Sequence, residues 1–234
     1  MYDAIDLSNQ INQLVSREDE KKYYRFRPTR FYGGISTADA VGCNLRCAFC
    51  WSAKSVWNAK NTGSFYSSTD VAQKLQHIAD AKGYSQLRIS GGEPTIGKKH
   101  LLNVLKKIDP SFLFILETNG LLLGYDPTYI FDLARFLNLH VRVCLKGCNR
   151  KEFSVLTGAK STGFDYQLDS LKTLKQAQVS FNIAVASPKK DKQGLYQRLQ
   201  HMGLGNIMVE EEQIRLYPQV RKRLEKQGLL SLFK

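Results

Sequence analysis

The sequence predicts an α/β fold, a partial (βα)6 barrel with parallel strands and outer helices. Three observations carry this prediction. Turn signals cut the 234-residue chain into apolar runs that alternate with helical patterns, the order that builds a parallel sheet under a helical layer. The alternation runs from Gly34 to Tyr217, room for about six units of roughly 30 residues and short of the eight that close a barrel. Residue types that carry chemistry recur directly after the apolar runs, where such folds gather their active groups.

Element by element, residues 4–20 read as a polar helix, and a basic-aromatic stretch then leads to Phe31-Tyr32-Gly33-Gly34. Ile35 to Val41 forms the first strand and ends at Gly42. Thr69-Asp70 caps a helix over 71–82 whose Val71, Leu75, Ile78 and Ala79 share one face. Gln86 to Ser90 is a strand that stops at Gly91-Gly92, and residues 98–108 repeat the helical spacing through Leu101, Leu102, Leu105 and Ile108. Phe112 to Leu116 is a fully apolar strand, 128–137 a helix, 140–145 a strand and 165–177 a helix. Phe181 to Ala186, a helix over 191–201, a sixth strand from Ile207 to Leu216 and a basic helix over 218–227 complete the order. The predicted organisation is an N-terminal helix and basic-aromatic extension over 1–32, the barrel over 33–218, and a C-terminal helix over 219–234.

With 43% hydrophobic and 24% charged residues, the chain fits neither disordered, fibrous nor membrane-spanning classes. No apolar run approaches the roughly 20 residues of a membrane span, and the start MYDAIDLSNQ lacks a basic segment followed by an apolar core. The expected location is cytoplasmic, with no membrane partner. The net charge of +13 biases encounters toward polyanions or acidic protein faces; the plainer alternative is a solubility surplus scattered over helices. Within 21–30, Tyr24, Arg25, Phe26, Arg27 and Arg30 interleave basic and aromatic side chains as stacking-plus-phosphate surfaces do. They are the candidate substrate-docking residues.

Five cysteines without an export signal argue against a disulfide framework. Cys43, Cys47 and Cys50 fall within one short segment, a spacing that random placement produces on the order of one time in a thousand. A structural zinc site wants a fourth ligand and paired Cys-x-x-Cys knuckles. His77 and His100 lie instead on predicted helices, and Cys144 and Cys148 stand far along the chain. Three thiolates around a four-iron cluster leave one iron open to an outside ligand. After the next strand, Gly91-Gly92-Glu93-Pro94 offers glycines that permit close backbone approach and a carboxylate that favours an ammonium; an ordinary strand-to-helix turn is the alternative.

Cys-x3-Cys-x2-Cys with an aromatic before the last cysteine, followed after the next strand by Gly-Gly-Glu-Pro, resembles the radical S-adenosylmethionine (SAM) superfamily over residues 33–218. The resemblance implies a [4Fe-4S] cluster and SAM as cofactors. Cys43, Cys47 and Cys50 would ligate three irons, and the amino and carboxylate groups of SAM the fourth. Phe49 and Trp51 would lie against the adenine, Gly91 and Gly92 beside the methionine moiety, and Glu93, ahead of the rigid Pro94, on its ammonium. Leu116-Glu117-Thr118-Asn119-Gly120, and Val143-Cys144-Leu145-Lys146-Gly147 with Leu156-Thr157-Gly158 downstream, resemble the glycyl-radical-enzyme activases and their small relatives. That likeness places Glu117, Thr118 and Asn119 near the ribose and Lys146 on the SAM carboxylate. The sequence departs from this pattern by carrying Cys144 where the activases have Asp.

Strand alternation puts Arg142, Cys144 and Lys146 on one face, so Cys144 is a candidate hydrogen-atom relay or, with Cys148, part of a second metal site; the alternative is a small buried apolar side chain. Glu210 and Glu212 share a face opposite to Glu211, and a solvated strand edge is their expected setting. The expected activity is reductive cleavage of SAM to a 5′-deoxyadenosyl radical that abstracts hydrogen from a macromolecule, a protein or peptide, or alternatively a tRNA or other RNA. An external one-electron reductant of the flavodoxin or ferredoxin type is the implied partner. Two readings from other classes compete: a zinc-stabilised nucleic-acid-binding module and a pure electron carrier.

Overall fold

The computed structural model describes residues 1–233. Helix α1 (Ala4–Val15), capped by the Asp3 carboxylate, leads through β1 (Ser16–Arg17) into β2 (Glu20–Thr29) and β3 (Ile35–Ala40). The cysteine-bearing loop comes next, then α2 (Ala53–Trp57) and β4 (Ser64–Ser67). The alternation then proceeds through α3 (Ser68–Lys82), β5 (Gln86–Gly91), α4 (Lys98–Lys107), β6 (Leu113–Thr118), α5 (Leu121–Tyr125), α6 (Thr128–Leu133) and β7 (Leu139–Lys146). It ends with α7 (Arg150–Thr157), α8 (Thr162–Gln176), β8 (Ser180–Ala186), α9 (Gln193–His201), β9 (Val209–Glu211) and α10 (Pro218–Lys226).

The strands lie in the order β1-β2-β3-β5-β6-β7-β8-β9, with β4 paired to β2. From β3 to β9 every neighbouring pair is parallel, and β2 runs antiparallel to β3. The six parallel strands are those the sequence predicts, in an open, unclosed sheet. Strand β7 shows how the layers are sorted: Leu139, Val141, Val143 and Leu145 are buried in the main core with Leu168, Leu171 and Leu174 of α8. The alternate positions His140, Arg142, Cys144 and Lys146 are half-buried on the concave face. Among the described residues no helix is long and apolar enough to cross a membrane.

Several predicted elements differ; the helix expected over 128–137 stops at Leu133. Residues 16–20 leave the first helix, and the basic-aromatic stretch is itself a strand, β2, hydrogen-bonded to β3 and β4. Its Lys21 and Tyr23 are fully buried, each with its polar tip satisfied: the Lys21 ammonium by backbone carbonyls, the Tyr23 hydroxyl by His100 Nε2 at 3.0 Å. The sixth strand is short because its ladder ends where the Glu212 amide donates to the Val185 carbonyl.

Candidate active site

A cavity of about 590 Å³ opens at the carboxyl ends of the parallel strands and extends down the concave face of the sheet. Cys43, Cys47 and Cys50 line it, as do Phe49, Trp51, Gly91, Gly92, Glu93, Glu117, Thr118, Asn119, Cys144 and Lys146. The candidates drawn from four separate strand ends therefore meet in one space.

The cysteine loop is held from outside by two arginines. Arg46 Nη1 donates to the Cys43 and Leu45 carbonyls at 2.6 and 3.0 Å. From α10, Arg223 donates to the Ala48 carbonyl at 2.7 Å and to the Cys50 carbonyl. The Trp57 ring lies near both guanidiniums, 5.7 Å from Arg46 and 5.1 Å from Arg223. Burial pushes the Cys43 thiol up to about 12 and raises Cys47 and Cys50 as well, so a metal must displace these protons to bind. Among the described residues no three His, Cys, Asp or Glu side chains converge closely enough to hold a single metal ion. An iron-sulfur cluster taking one thiolate on each of three irons does not require that convergence. The buried Asn44 Nδ2, next to Cys43, has no partner and is a donor free for a cluster sulfur. The donor set fits a [4Fe-4S] cluster.

The Gly-Gly-Glu-Pro turn is locked against the first strand. The Gly92 amide donates to the Ala40 carbonyl and the Glu93 amide to the Gly42 carbonyl, at 2.9 and 2.7 Å. A Cβ on Gly92 would stand 2.1 Å from the Gly42 oxygen, so the position admits only glycine, and Gly91 has a φ of +92°. From the other side the buried Lys21 ammonium donates to the Glu93, Pro94 and Ile96 carbonyls. Glu93 is 1% exposed. Its Oε1 accepts from the Thr95 amide, the Thr95 hydroxyl and the Thr118 hydroxyl, and its Oε2 from the Asn119 amide. Asn119 Nδ2 donates in turn to Asn44 Oδ1 at 2.7 Å. Glu93, Thr118 and Asn119 thus lace three strand-end loops together, a structural task that the sequence did not announce.

The other predicted positions are distributed as follows. Lys146 Nζ donates to Cys144 Sγ at 2.7 Å; burial works against its charge, but the sulfurs of Cys144 and Cys47 outweigh burial and hold the ammonium above the ordinary lysine value. Cys148 packs in the main core and is absent from the cavity lining, so the structure does not pair it with Cys144. Glu117 accepts from Arg88 Nη1, the Ser90 hydroxyl and the Tyr32 hydroxyl. Burial opposes its ionisation, yet Arg88 and these donors prevail and keep the carboxyl below its usual range. Trp51 is exposed at the rim, while Phe49 leans on Phe233 with ring centroids 6.2 Å apart. Pro94 sits in the turn fixed by Lys21.

The predicted docking surface is split by the strand it forms. Arg25 and Arg27 line the cavity and pair with Asp39. Phe26 packs on the other side with Tyr23 and Tyr66, Tyr24 packs on the small cluster of Ile11, Val15 and Val41, and Arg30 is exposed beyond the strand. A register irregularity between Tyr23 and Arg25 brings Tyr23 to the same side as Phe26, and beyond it alternation sends Arg25 and Arg27 to the opposite face.

Sequence reading also missed a charged layer inside the sheet. Arg25 and Arg27 on β2, Asp39 on β3, Arg88 on β5, Glu117 on β6, Arg142 on β7 and, across the uncharged β8, Glu210 on β9 with Glu212 just beyond it alternate in sign across the sheet. The solvated edge expected for Glu210 and Glu212 is not what the structure shows: both bind Arg142, at 2.8 and 2.6 Å. Their signal was the alternation that separates them from Glu211, which faces Lys192 instead.

The sequence profile of the Radical SAM superfamily matches residues 39–196. The chain belongs to the radical SAM superfamily. It is 26% identical over 187 residues to molybdenum cofactor biosynthesis protein 1 of Dictyostelium discoideum, covering 76% of this chain and 28% of that protein. It is 25% identical over 140 residues to a probable GTP 3′,8-cyclase of Pyrococcus horikoshii, covering 58% and 39%. The radical SAM chain therefore spans well under half of the length of these curated relatives. Among solved structures, Streptococcus suis SuiB bound to the precursor peptide SuiA aligns with a TM-score of 0.60 at 17% identity, over 82% of this chain and 44% of that one. Native anSMEcpe with bound AdoMet aligns with a TM-score of 0.55 at 16% identity, over 81% and 57%; both likenesses show the shared fold. The family's cofactors are a [4Fe-4S] cluster and SAM, the pair whose donor set the cavity presents. These similarities carry the superfamily and not the activase-like subgroup.

Proposed function

We propose that this radical SAM protein binds a [4Fe-4S] cluster on Cys43, Cys47 and Cys50 and uses it to cleave SAM, directing the product radical at a substrate held in the same cavity. The single observation that carries the reading is the meeting of the cysteine loop, the Gly91-Gly92 turn and Lys146 around one cavity. When bound and reduced by an external flavodoxin- or ferredoxin-type protein, the cluster supplies the electron that splits SAM into methionine and a 5′-deoxyadenosyl radical. The chain's own work is positioning. Lys146 exchanges its Cys144 contact for the SAM carboxylate, a charge-assisted bond. Gly91 and Gly92 give the methionine moiety a backbone surface without side chains, kept in place by the Lys21 and Glu93 clasps. Glu117, held ionised by Arg88, offers Oε2 to a ribose hydroxyl, and Trp51 with Phe49 flanks the adenine. Cys144, beside Lys146, faces the space where hydrogen is transferred.

The rim is solvent-exposed at Phe31, Tyr32, Trp51 and Tyr217, which supports entry of a segment of a larger molecule, a protein or peptide loop; SuiB, which shares the fold, is bound to a precursor peptide. The relatives named for GTP cyclisation favour a second, small-molecule reading. Anaerobic reconstitution followed by SAM and dithionite tests the proposal: 5′-deoxyadenosine is expected. A protein that carries zinc, or an iron-sulfur cluster that leaves SAM intact, would overturn it in favour of a binding module or an electron carrier.

A further inference from the structure

Two guanidiniums converge on one carboxylate where β2 and β3 meet the cavity. Asp39 is fully buried. Its Oδ2 accepts from Arg25 Nε at 2.7 Å and from Arg27 Nε at 2.8 Å, and its Oδ1 from Arg27 Nη2 at 3.4 Å. One guanidinium suffices to neutralise a carboxylate. Among the described residues neither Arg25 nor Arg27 has a second carboxylate within ion-pair distance, so the trio keeps one surplus positive charge. Both side chains line the cavity, 44% and 25% exposed. Because Arg25 meets Asp39 through Nε alone, its two terminal nitrogens remain available as a fork of donors, the arrangement that suits a planar or tetrahedral oxyanion.

The rest of the charged layer is closed to such a ligand. Arg88 donates to Thr37 and Glu117 and is 5% exposed; Arg142 is bound by both Glu210 and Glu212. The Arg25–Arg27–Asp39 trio therefore carries its surplus charge into the cavity, whereas at the β9 side Glu210 and Glu212 outnumber Arg142 within the layer and the exposed Arg215 lines the cavity beyond them. Phe31, 60% exposed, lines the same cavity over the Arg88 guanidinium, 4.9 Å from its ring, and offers the uncharged body of a ligand an apolar face.

We infer that Arg25 and Arg27 form an oxyanion subsite that receives a phosphate or carboxylate group of the substrate; that the bound molecule is the substrate rests on the function proposed above. The test is anaerobic calorimetric titration of the reconstituted protein with inorganic pyrophosphate and, separately, with succinate. Each of Arg25→Gln and Arg27→Gln leaves one guanidinium on Asp39, so the fold is preserved, and an unchanged melting temperature verifies it. The expected result is saturable binding of at least one anion, weakened tenfold or more in both variants. A preference for pyrophosphate assigns a phosphate to the substrate, and a preference for succinate assigns a carboxylate. Binding of neither anion, or binding that both variants retain in full, overturns the subsite. Formation of 5′-deoxyadenosine is scored in the same preparation. SAM cleavage without anion binding sinks this inference alone, whereas anion binding without SAM cleavage sinks the proposed reaction, and with it the identification of the anion as substrate, but leaves the subsite.

Discussion

At the residue level, similar-looking charged positions have different tasks, and substitutions should separate them. Cys47→Ala removes one of the three proposed cluster ligands, so iron and sulfide counts after reconstitution should collapse, while Cys148→Ala, buried in the core away from the cavity, should keep its iron. Lys146→Ala should load its cluster normally but bind SAM roughly ten- to a hundredfold more weakly, the cost of one charge-assisted hydrogen bond; an unchanged calorimetric SAM affinity would remove Lys146 from the pocket. Glu93→Ala should behave otherwise and lower thermal stability outright, because it strands the donors of Thr95, Thr118 and Asn119. His100 supplies a pH test. Its Nδ1 donates to the Asp19 carbonyl at 2.7 Å and its Nε2 accepts from Tyr23, and burial pulls it from 6.5 down to about 4. The unfolded chain therefore binds more protons between those values. The stability His100 contributes is complete above pH 6.5 and is lost as pH falls toward 4, on the order of 3 kcal/mol. Denaturant midpoints at pH 7 and pH 4.5 should differ more for the natural protein than for His100→Gln.

At the level of elements, the parallel strands were legible because most are short runs with apolar residues on the core face, closed by glycine or a polar strand end, as at Gln86 to Gly91; β9, with a single apolar residue in its ladder, was legible only in its position. The strand β2 was not. Its Lys-Lys-Tyr-Tyr-Arg-Phe-Arg run places basic residues on both faces, and only tertiary partners, the carbonyls for Lys21 and Asp39 for the arginines, make them tolerable in a sheet. Pro28 is compatible because that part of β2 pairs with β3 alone. The closing helix was legible as a helix from its Pro218 start, yet nothing local showed its target. Val220 and Leu224 of α10 bury against Ala48 and Phe49, and Arg223 fastens the helix to the cysteine loop. Arg223→Gln should therefore loosen the cover, with faster bleaching of the cluster absorbance on exposure to air and a small fall in melting temperature. Lys at that position should recover only part of the loss, since it cannot serve two carbonyls with a planar fork. Bleaching at the natural rate in Arg223→Gln would show that α10 does not protect the loop.

At the scale of the molecule, the site belongs to no single element. The cysteine loop follows β3, the glycine turn follows β5, the Asn119 lace follows β6, Lys146 ends β7, and the two ends of the chain contribute Lys21 and Arg223. A ligand that bridges these pieces binds only the folded chain, so its binding energy adds to the stability of the whole sheet. At a SAM concentration about a hundred times its dissociation constant, the gain is about 2.7 kcal/mol, and a chain of this size should melt roughly 5–10 °C higher. If SAM binds through an open iron of the proposed cluster, the shift should appear in cluster-loaded protein and shrink strongly in a protein with Cys43, Cys47 and Cys50 all changed to Ala. Melting followed by tryptophan fluorescence reads this well, since Trp51 lies at the rim and Trp57 between the two arginines that hold the loop. An equal shift with and without the cluster would place SAM on the chain somewhere other than this cavity, and would separate the sheet's charged interior from the chemistry proposed for it.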